Sequence, residues 1–222
     1  MFSNKEIDYS LFGIFLGDGY VDRNRRNQMA IKHSQQQREY IESIRNCLIE
    51  NHRQVSSINT LGSGQVFMRS HITARHWNHN RAWKSTGVKY PSKYMLDRLT
   101  PLGLAWLWCD DGSFRINSSS GSRQGRLAVC SFTVKEVDKM MDSFTKNFGI
   151  TGIRQTQQRG YPMMSFNSTG MRQLVDTVLP IMEYIPPSMR YKFDLQYEGR
   201  FEYSKKLMIY NESAFPEYRY SG

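Results

Sequence analysis

Two nine-residue segments, LFGIFLGDG at residues 11–19 and LAWLWCDDG at residues 104–112, repeat one pattern: an apolar helical run with small residues four apart, then an acid, then glycine. The small residues are Gly13 and Gly17 in the first copy and Ala105 and Cys109 in the second, so each helix carries a smooth stripe along which two backbones can approach closely. The acid falls at a helix C-terminus, where exposed carbonyls already carry partial negative charge, and the glycine after it suits a left-handed capping position. Both copies thus put a carboxylate where helix electrostatics disfavour it. Helices paired in parallel bring Asp18 and Asp111 together, and two such carboxylates repel unless a divalent cation sits between or beside them. The repeat constrains fold and chemistry at once: two copies of one unit, joined through their motif helices, with an acidic centre at the joint.

The stretches after each motif read alike. Residues 20–23 and 28–34 form a predicted hairpin, and residues 36–50 place Tyr40, Ile44, Cys47 and Leu48 on one face of a core-facing helix. A second hairpin, 54–61 with 65–72, turns at Gly62-Ser63-Gly64, and 73–84 reads as helical. After the second motif come strands 113–117 and 126–133 around a polar loop, then a helix over 135–148 whose stripe of Val137, Met140, Met141, Phe144 and Phe148 belongs to a core. A last hairpin, 152–158 with 161–167, turns at Arg159-Gly160, and a closing helix spans 169–182 before a basic-aromatic tail. The expected architecture is α+β: two pseudo-symmetric α-β-β-α-β-β-α subdomains packed through the paired motif helices, each with an antiparallel sheet. The N-terminal subdomain covers 1–90, a connector 91–100, and the C-terminal subdomain 101–222.

A formal charge of +10 and a pI near 9.6 point to a polyanionic partner, and nucleic acid is the economical one. Arg23, Arg25, Arg26 and Lys32 cluster within ten residues of the first hairpin. A β-ribbon fits the DNA major groove and presents alternate residues to base edges. The exposed faces then carry Arg23, Gln28, Lys32, Gln65 and Arg69 in the first half, and Ser113, Arg115, Asn117, Arg126, Arg154, Thr156 and Gln158 in the second. Met29, Ile31, Phe114, Ile116, Leu127 and Val129 are assigned to the opposite, helix-covered faces. Three cysteines, far apart and without CxxC spacing, fit buried thiols in a reducing compartment, and no apolar run is long enough to span a bilayer. A soluble intracellular protein is expected, in a bacterial or phage-infected cytoplasm or an organelle matrix.

Leu99-Thr100-Pro101 leads into the second motif, and Pro187-Ser188-Met189-Arg190-Tyr191-Lys192 follows the closing helix. With these flanks, the two motifs resemble the LAGLIDADG homing endonucleases in their single-chain, two-motif form. The resemblance implies that Asp18 and Asp111 are the catalytic, metal-binding acids. They would hold Mg²⁺, with Mn²⁺ substituting, while backbone carbonyls at Gly17 and Asp110 and DNA phosphates complete the ligand shells. It also implies one basic residue per half near the scissile phosphate. Lys192 fits by motif match, and Lys89, two residues before Pro91, is the first-half choice, with Lys84 as the alternative; a plain phosphate contact is open for either. The trio His71, His76 and His79 lacks a fourth ligand for zinc and reads as helix-surface or DNA-backbone contacts. The function implied is site-specific cleavage of both strands of double-stranded DNA by a monomer, leaving 3′ overhangs. Two ribbons and a central spacer correspond to a target of roughly 18–22 base pairs. The same fold would also suit an intron-RNA splicing maturase or a non-cleaving DNA-binding regulator. With no splicing-domain segment beside the motifs, an intron rather than an intein context is expected.

Overall fold

The structure, a computed structural model, describes residues 2–22, 28–70, 89–117 and 120–193. Helix α1 (Asn4–Leu16) opens with a capping box in which Ser3 accepts from the Glu6 N–H and Glu6 accepts from the Ser3 N–H. From Ser10 to Leu16 every residue is buried, as is every residue from Leu102 to Cys109 in helix α4 (Pro101–Asp111). Helices apolar on all sides belong in a core. Contacts between the two advance in the same direction along both helices. A Cβ on Gly13 would lie 1.7 Å from the Gly103 carbonyl oxygen, and one on Gly17 would lie 2.5 Å from an Asp110 carboxylate oxygen. The helices are therefore parallel and in backbone contact. A relay of hydroxyls ties them where they start: Gly103 N–H donates to Thr100 Oγ1 at 3.1 Å, Thr100 and Ser10 hydroxyls meet at 2.6 Å, and Ser10 Oγ donates to the Glu6 carbonyl.

Each motif helix leads into a four-stranded antiparallel sheet. Strands β1 (Tyr20–Asp22), β2 (Gln28–Ser34), β3 (Asn59–Thr60) and β4 (Gln65–Arg69) order as β1-β2-β4-β3. Strands β5 (Gly112–Ile116), β6 (Arg123–Ala128), β7 (Ile153–Gln158) and β8 (Tyr161–Phe166) order as β5-β6-β8-β7. The same topology twice bears out the α+β repeat. Helix α2 (Arg38–Glu50) buries Tyr40, Ile41, Ile44, Cys47 and Leu48 against the first half. The short α3 (Lys93–Leu96) precedes α4. Helix α5 (Val134–Phe148) buries Val137, Met140 and Phe144, with Met141 and Phe148 packed partly against the core. Helix α6 (Ser168–Val178) stops earlier than expected and continues as a 3-10 turn, Leu179–Tyr184, because Pro180 cannot supply the N–H an α-helix needs there. Helix α7 (Pro187–Arg190) carries the chain back toward the motif helices. The helix expected over 73–84 lies outside the described residues, as do the turn at Arg23, Arg25 and Arg26, the histidines 71, 76 and 79, Lys84, and the basic-aromatic tail from residue 194.

Several boundaries and facings differ from expectation, each for a local reason. Strand β6 starts at Arg123 rather than 126 because Gly125 is a strand residue: a Cβ there would meet Met171 Sδ at 2.1 Å and the Trp108 ring at 2.8 Å. The chain leaves that strand after Ala128 through a turn in which Phe132 N–H donates to the Val129 carbonyl. Strand β3 is only two residues long, and Val55 reaches Ser70 through an isolated bridge. Gly19 and Gly112 are not left-handed. They are needed for space, since a Cβ would lie 2.7 Å from the Ile14 carbonyl oxygen at Gly19 and 2.4 Å from the Trp108 carbonyl oxygen at Gly112. The surface opposite Gly13 and Gly17 is formed by Gly103 and Asp110 rather than Ala105 and Cys109, although both of the latter are buried. Ile116, expected under the helices, is 46% exposed at the end of β5, and Cys130, just past β6, is exposed rather than buried. Met29, Ile31, Leu127 and Val129 are buried as expected.

Candidate active site

Both motif acids lie where α1 and α4 end side by side. Asp18 follows α1 by two residues with its side chain 49% exposed, and Asp111 is the last residue of α4. Burial, then the nearby charges of Asp18 and Asp110, push the Asp111 carboxyl up to about 7, against the opposing pull of Lys89 and Lys192. Asp18 is raised as well, by burial first and by Asp110 second. The charge of Asp18 is thus felt at Asp111, across the ends of the two motif helices.

The two candidate lysines occupy matching places. Lys89 Nζ donates to the carbonyls of Phe15 at 3.0 Å and Gly19 at 3.4 Å, and also to that of Gly17. Lys192 Nζ donates to the carbonyl of Asp110 at 3.1 Å and to that of Cys109. Each ammonium therefore caps its motif-helix C-terminus, where a cation is favoured, and occupies one lone pair of a carbonyl assigned to a metal shell. Burial lowers the Lys89 pKa, and the three acids Asp111, Asp110 and Asp18 work against that. Trp108 Nε1 donates to the Lys192 carbonyl at 2.8 Å, which fixes the returning chain against α4.

One group was not anticipated from sequence. His33 on β2, its side chain 2% exposed, has Nδ1 at 3.6 Å from Asp18 Oδ2 and Nε2 at 3.5 Å from Asp110 Oδ1. The Asp110 side chain is fully buried, and its Oδ2 accepts the Asp18 N–H at 3.0 Å. Burial opposes charge on His33, but the carboxylates of Asp110 and Asp18 outweigh it and the pKa is raised. Asp18, His33 and Asp110 offer ligand atoms within 4.8 Å of one another. Neither His33 Nε2 nor Asp110 Oδ1 has a hydrogen-bond partner. Buried, unsatisfied donors and acceptors beside repelling carboxylates are the environment that a divalent cation relieves.

The sheets extend from this centre. In the second half Ser113 faces Arg126, Arg126 faces Ser165, and Ser165 faces Arg154, forming one row across all four strands. Arg115, Gln124, Arg126, Arg154, Thr156 and Gln158 line one open groove over this face. Arg115 donates to Gln124 at 3.0 Å, and the Thr156 and Ser165 hydroxyls meet at 2.8 Å. Gln124 and Ser165 belong to the face but were not singled out; alternation with Arg126 was the available signal for Gln124. Asn117 sits half-buried beyond β5. In the first half Lys32 is exposed, Gln28, Gln65 and Arg69 are half-buried, and the Arg69 guanidinium lies 4.3 Å from the Phe67 ring centre.

Two parallel motif helices that deliver an acid each to the junction of two antiparallel sheets define a LAGLIDADG-type architecture. Residues 9–174 match the LAGLIDADG DNA endonuclease family, and the chain belongs to it. The structure of the homing endonuclease I-WcaI bound to its DNA recognition sequence shares the fold, with a TM-score of 0.66 at 18% identity over 87% of this chain and 89% of that one. Curated relatives include proteins named Protein RecA from Mycobacterium shimoidei, 26% identical over 202 residues, covering 86% of this chain and 47% of the relative. Another is from Mycobacterium leprae (strain TN), 25% identical over 213 residues, covering 90% of this chain and 29% of the relative. The chain spans about half the length, or less, of the curated relatives it matches. Among the described residues, no helix is long and apolar enough to cross a membrane.

Proposed function

We propose that this chain is a site-specific homing endonuclease that binds a long, asymmetric DNA duplex as a pseudosymmetric monomer and hydrolyses both strands with divalent metal. The observation that carries this reading is the pairing of Asp18 and Asp111 at the ends of two parallel helices, each beside a lysine that reaches the same helix end. Asp18 and Asp111 would hold the metal, aided by the carbonyls of Gly17 and Asp110. When bound, the ion would neutralise charge at the scissile phosphate and lower the pKa of water. Lys89 and Lys192 place Nζ beside the acids, where a phosphate gains negative charge during attack. The two sheets orient the duplex through their polar faces, with cations such as Lys32, Arg126 and Arg154 neutralising phosphates and Arg115 or Gln124 able to read base edges. Unlike residues on the two faces favour unrelated half-sites over a palindrome. Two ribbons and a spacer support a target of roughly 18–22 base pairs, and one shared centre supports short 3′ overhangs. The test is cleavage of a supercoiled plasmid library of candidate sites with Mg²⁺. Asp18→Asn and Asp111→Asn should each abolish double-strand cutting and leave binding largely intact; near-wild-type cutting by either variant refutes the assignment.

A further inference from the structure

The two halves can be aligned residue by residue through the motifs and the strand registers. Gly17 corresponds to Asp110 and Gly19 to Gly112. Tyr20 lies opposite Ala30 and Ser113 opposite Arg126, so Ala30 corresponds to Arg126 and His33 to Val129. One half therefore contributes His33 and the other Asp110, whereas their counterparts are Val129, 1% exposed, and Gly17. The repeat builds an apolar, small-residue version of this position and a polar one, and the polar one lies against the motif acid Asp18. Its two polar side chains are buried and face each other across the junction with Nε2 and Oδ1 unsatisfied. A buried polar pair that a valine and a glycine can replace is not required by the fold.

We infer that His33 Nδ1 is a metal ligand beside Asp18, held in place by the buried carboxylate of Asp110, which makes the first-half centre an imidazole-containing site selective for Mn²⁺, Co²⁺ or Zn²⁺ over Mg²⁺. The proposal rests on the metal-dependent reading above and deepens it. At 3.6 Å apart, His33 Nδ1 and Asp18 Oδ2 are close enough to share one ion at about 2.1 Å from each, at an angle wider than tetrahedral. Nδ1 faces Asp18 while Nε2 lies 3.5 Å from Asp110, so one nitrogen is placed to ligate while the other points at a carboxylate that would orient the ring as such partners do in histidine-metal sites. Imidazole nitrogen suits transition metals, whereas Mg²⁺ prefers oxygen and retains its waters. The corresponding position across the pseudo-symmetry, formed by Val129 and Gly17, lacks both parts.

The test uses the full chain without DNA. Co²⁺ titrated into the wild type should give ligand-field bands with the intensity of a nitrogen-containing site, and Mn²⁺ should show directly bound ¹⁴N in electron spin-echo envelope modulation. His33→Val, which installs the residue the other half already tolerates, should weaken Co²⁺ binding at least about 10-fold to 100-fold. Mg²⁺ binding should change by less than about threefold. Absence of ¹⁴N coupling in the wild type overturns the inference whatever the variant does, and so does an equal loss of Co²⁺ and Mg²⁺ affinity in a folded His33→Val. Nitrogen coupling in a protein that cuts no DNA sustains the inference and sinks the nuclease reading instead. Mg²⁺-driven cutting without any nitrogen coupling sinks the inference alone.

Discussion

Neutralising Asp111 should stabilise the metal-free protein at neutral pH, even though it removes a residue central to the proposed chemistry. The Asp111 carboxyl is raised from 3.8 to about 7 by burial and by the charges of Asp18 and Asp110. A carboxyl whose folded-state pKa exceeds its unfolded value binds a proton in the native state that the unfolded chain has already lost, so native stability falls as pH rises between about 4 and about 7. Roughly three pH units at about 1.4 kcal/mol each set a ceiling near 4 kcal/mol, and partial solvent access to the side chain reduces the realistic figure to about 2 kcal/mol. Urea unfolding in the presence of chelator, from about pH 5 to about pH 8, should show the wild type losing about 2 kcal/mol relative to Asp111→Asn. Adding Mn²⁺ should reverse the order, because an ion that binds only the native wild type stabilises it by RT ln(1 + [L]/Kd). Parallel pH curves for the two proteins under chelation would refute the claim that Asp111 is held against its own charge.

Gly13→Ala should destabilise the fold by at least about 2–3 kcal/mol, since its Cβ would overlap the Gly103 carbonyl and force the motif helices apart; thermal melting measures it, and an unchanged midpoint contradicts the backbone contact. Lys192→Met should lower the single-turnover cleavage rate by roughly 10²-fold with little loss of affinity, and a loss confined to affinity would make it a phosphate anchor. Arg115→Ala should cost about 1 to 3 kcal/mol on the true target and relax preference at one position. If binding to every single-base variant weakens equally at two salt concentrations, Arg115 contacts only phosphate.

The motif helices were legible because a run apolar on every side has few alternatives to burial, and the acids because they sit where helix ends disfavour them. The Arg159-Gly160 turn was legible for a similar reason: two residues with φ of 53° and 83° close the β7–β8 hairpin, and Gly160 accommodates the second at no steric cost. Gly125 was misread as loop because local rules treat glycine as punctuation, while its real constraint is the Trp108 and Met171 side chains above it. The same applies to Gly19 and Gly112, whose requirement is space rather than a left-handed backbone. His33 was passed over entirely. Nothing along β2 separates it from an inward-facing core residue, and its partners come from the α1 C-terminus and from the other half of the chain. A signal did exist at Asp110: the motif position that is Gly17 in the first copy holds an acid in the second, although that position lies in the helix contact.

That asymmetry bears on how a duplicated scaffold can treat two DNA strands differently. Matching positions in the two motifs supply Phe15 and Trp108, and the indole N–H of Trp108 anchors the Lys192 backbone while the Phe15 ring offers Lys89 only a face 5.7 Å away. Lys89 instead spreads its donors over three carbonyls and Lys192 over two. Asp18 is tied by its N–H to a buried carboxylate and flanked by an imidazole, whereas Asp111 is pushed up to about 7 by burial first and by the charges of Asp18 and Asp110 after it. An ion would therefore settle the two acids by unequal amounts, with the gain at Asp111 coming from offset burial and relieved repulsion together and the gain at Asp18 from completing a set of donors already in place. Equal geometry from the repeat and unequal electrostatics from a few substitutions give one centre whose two faces need not bind metal, or act, in step.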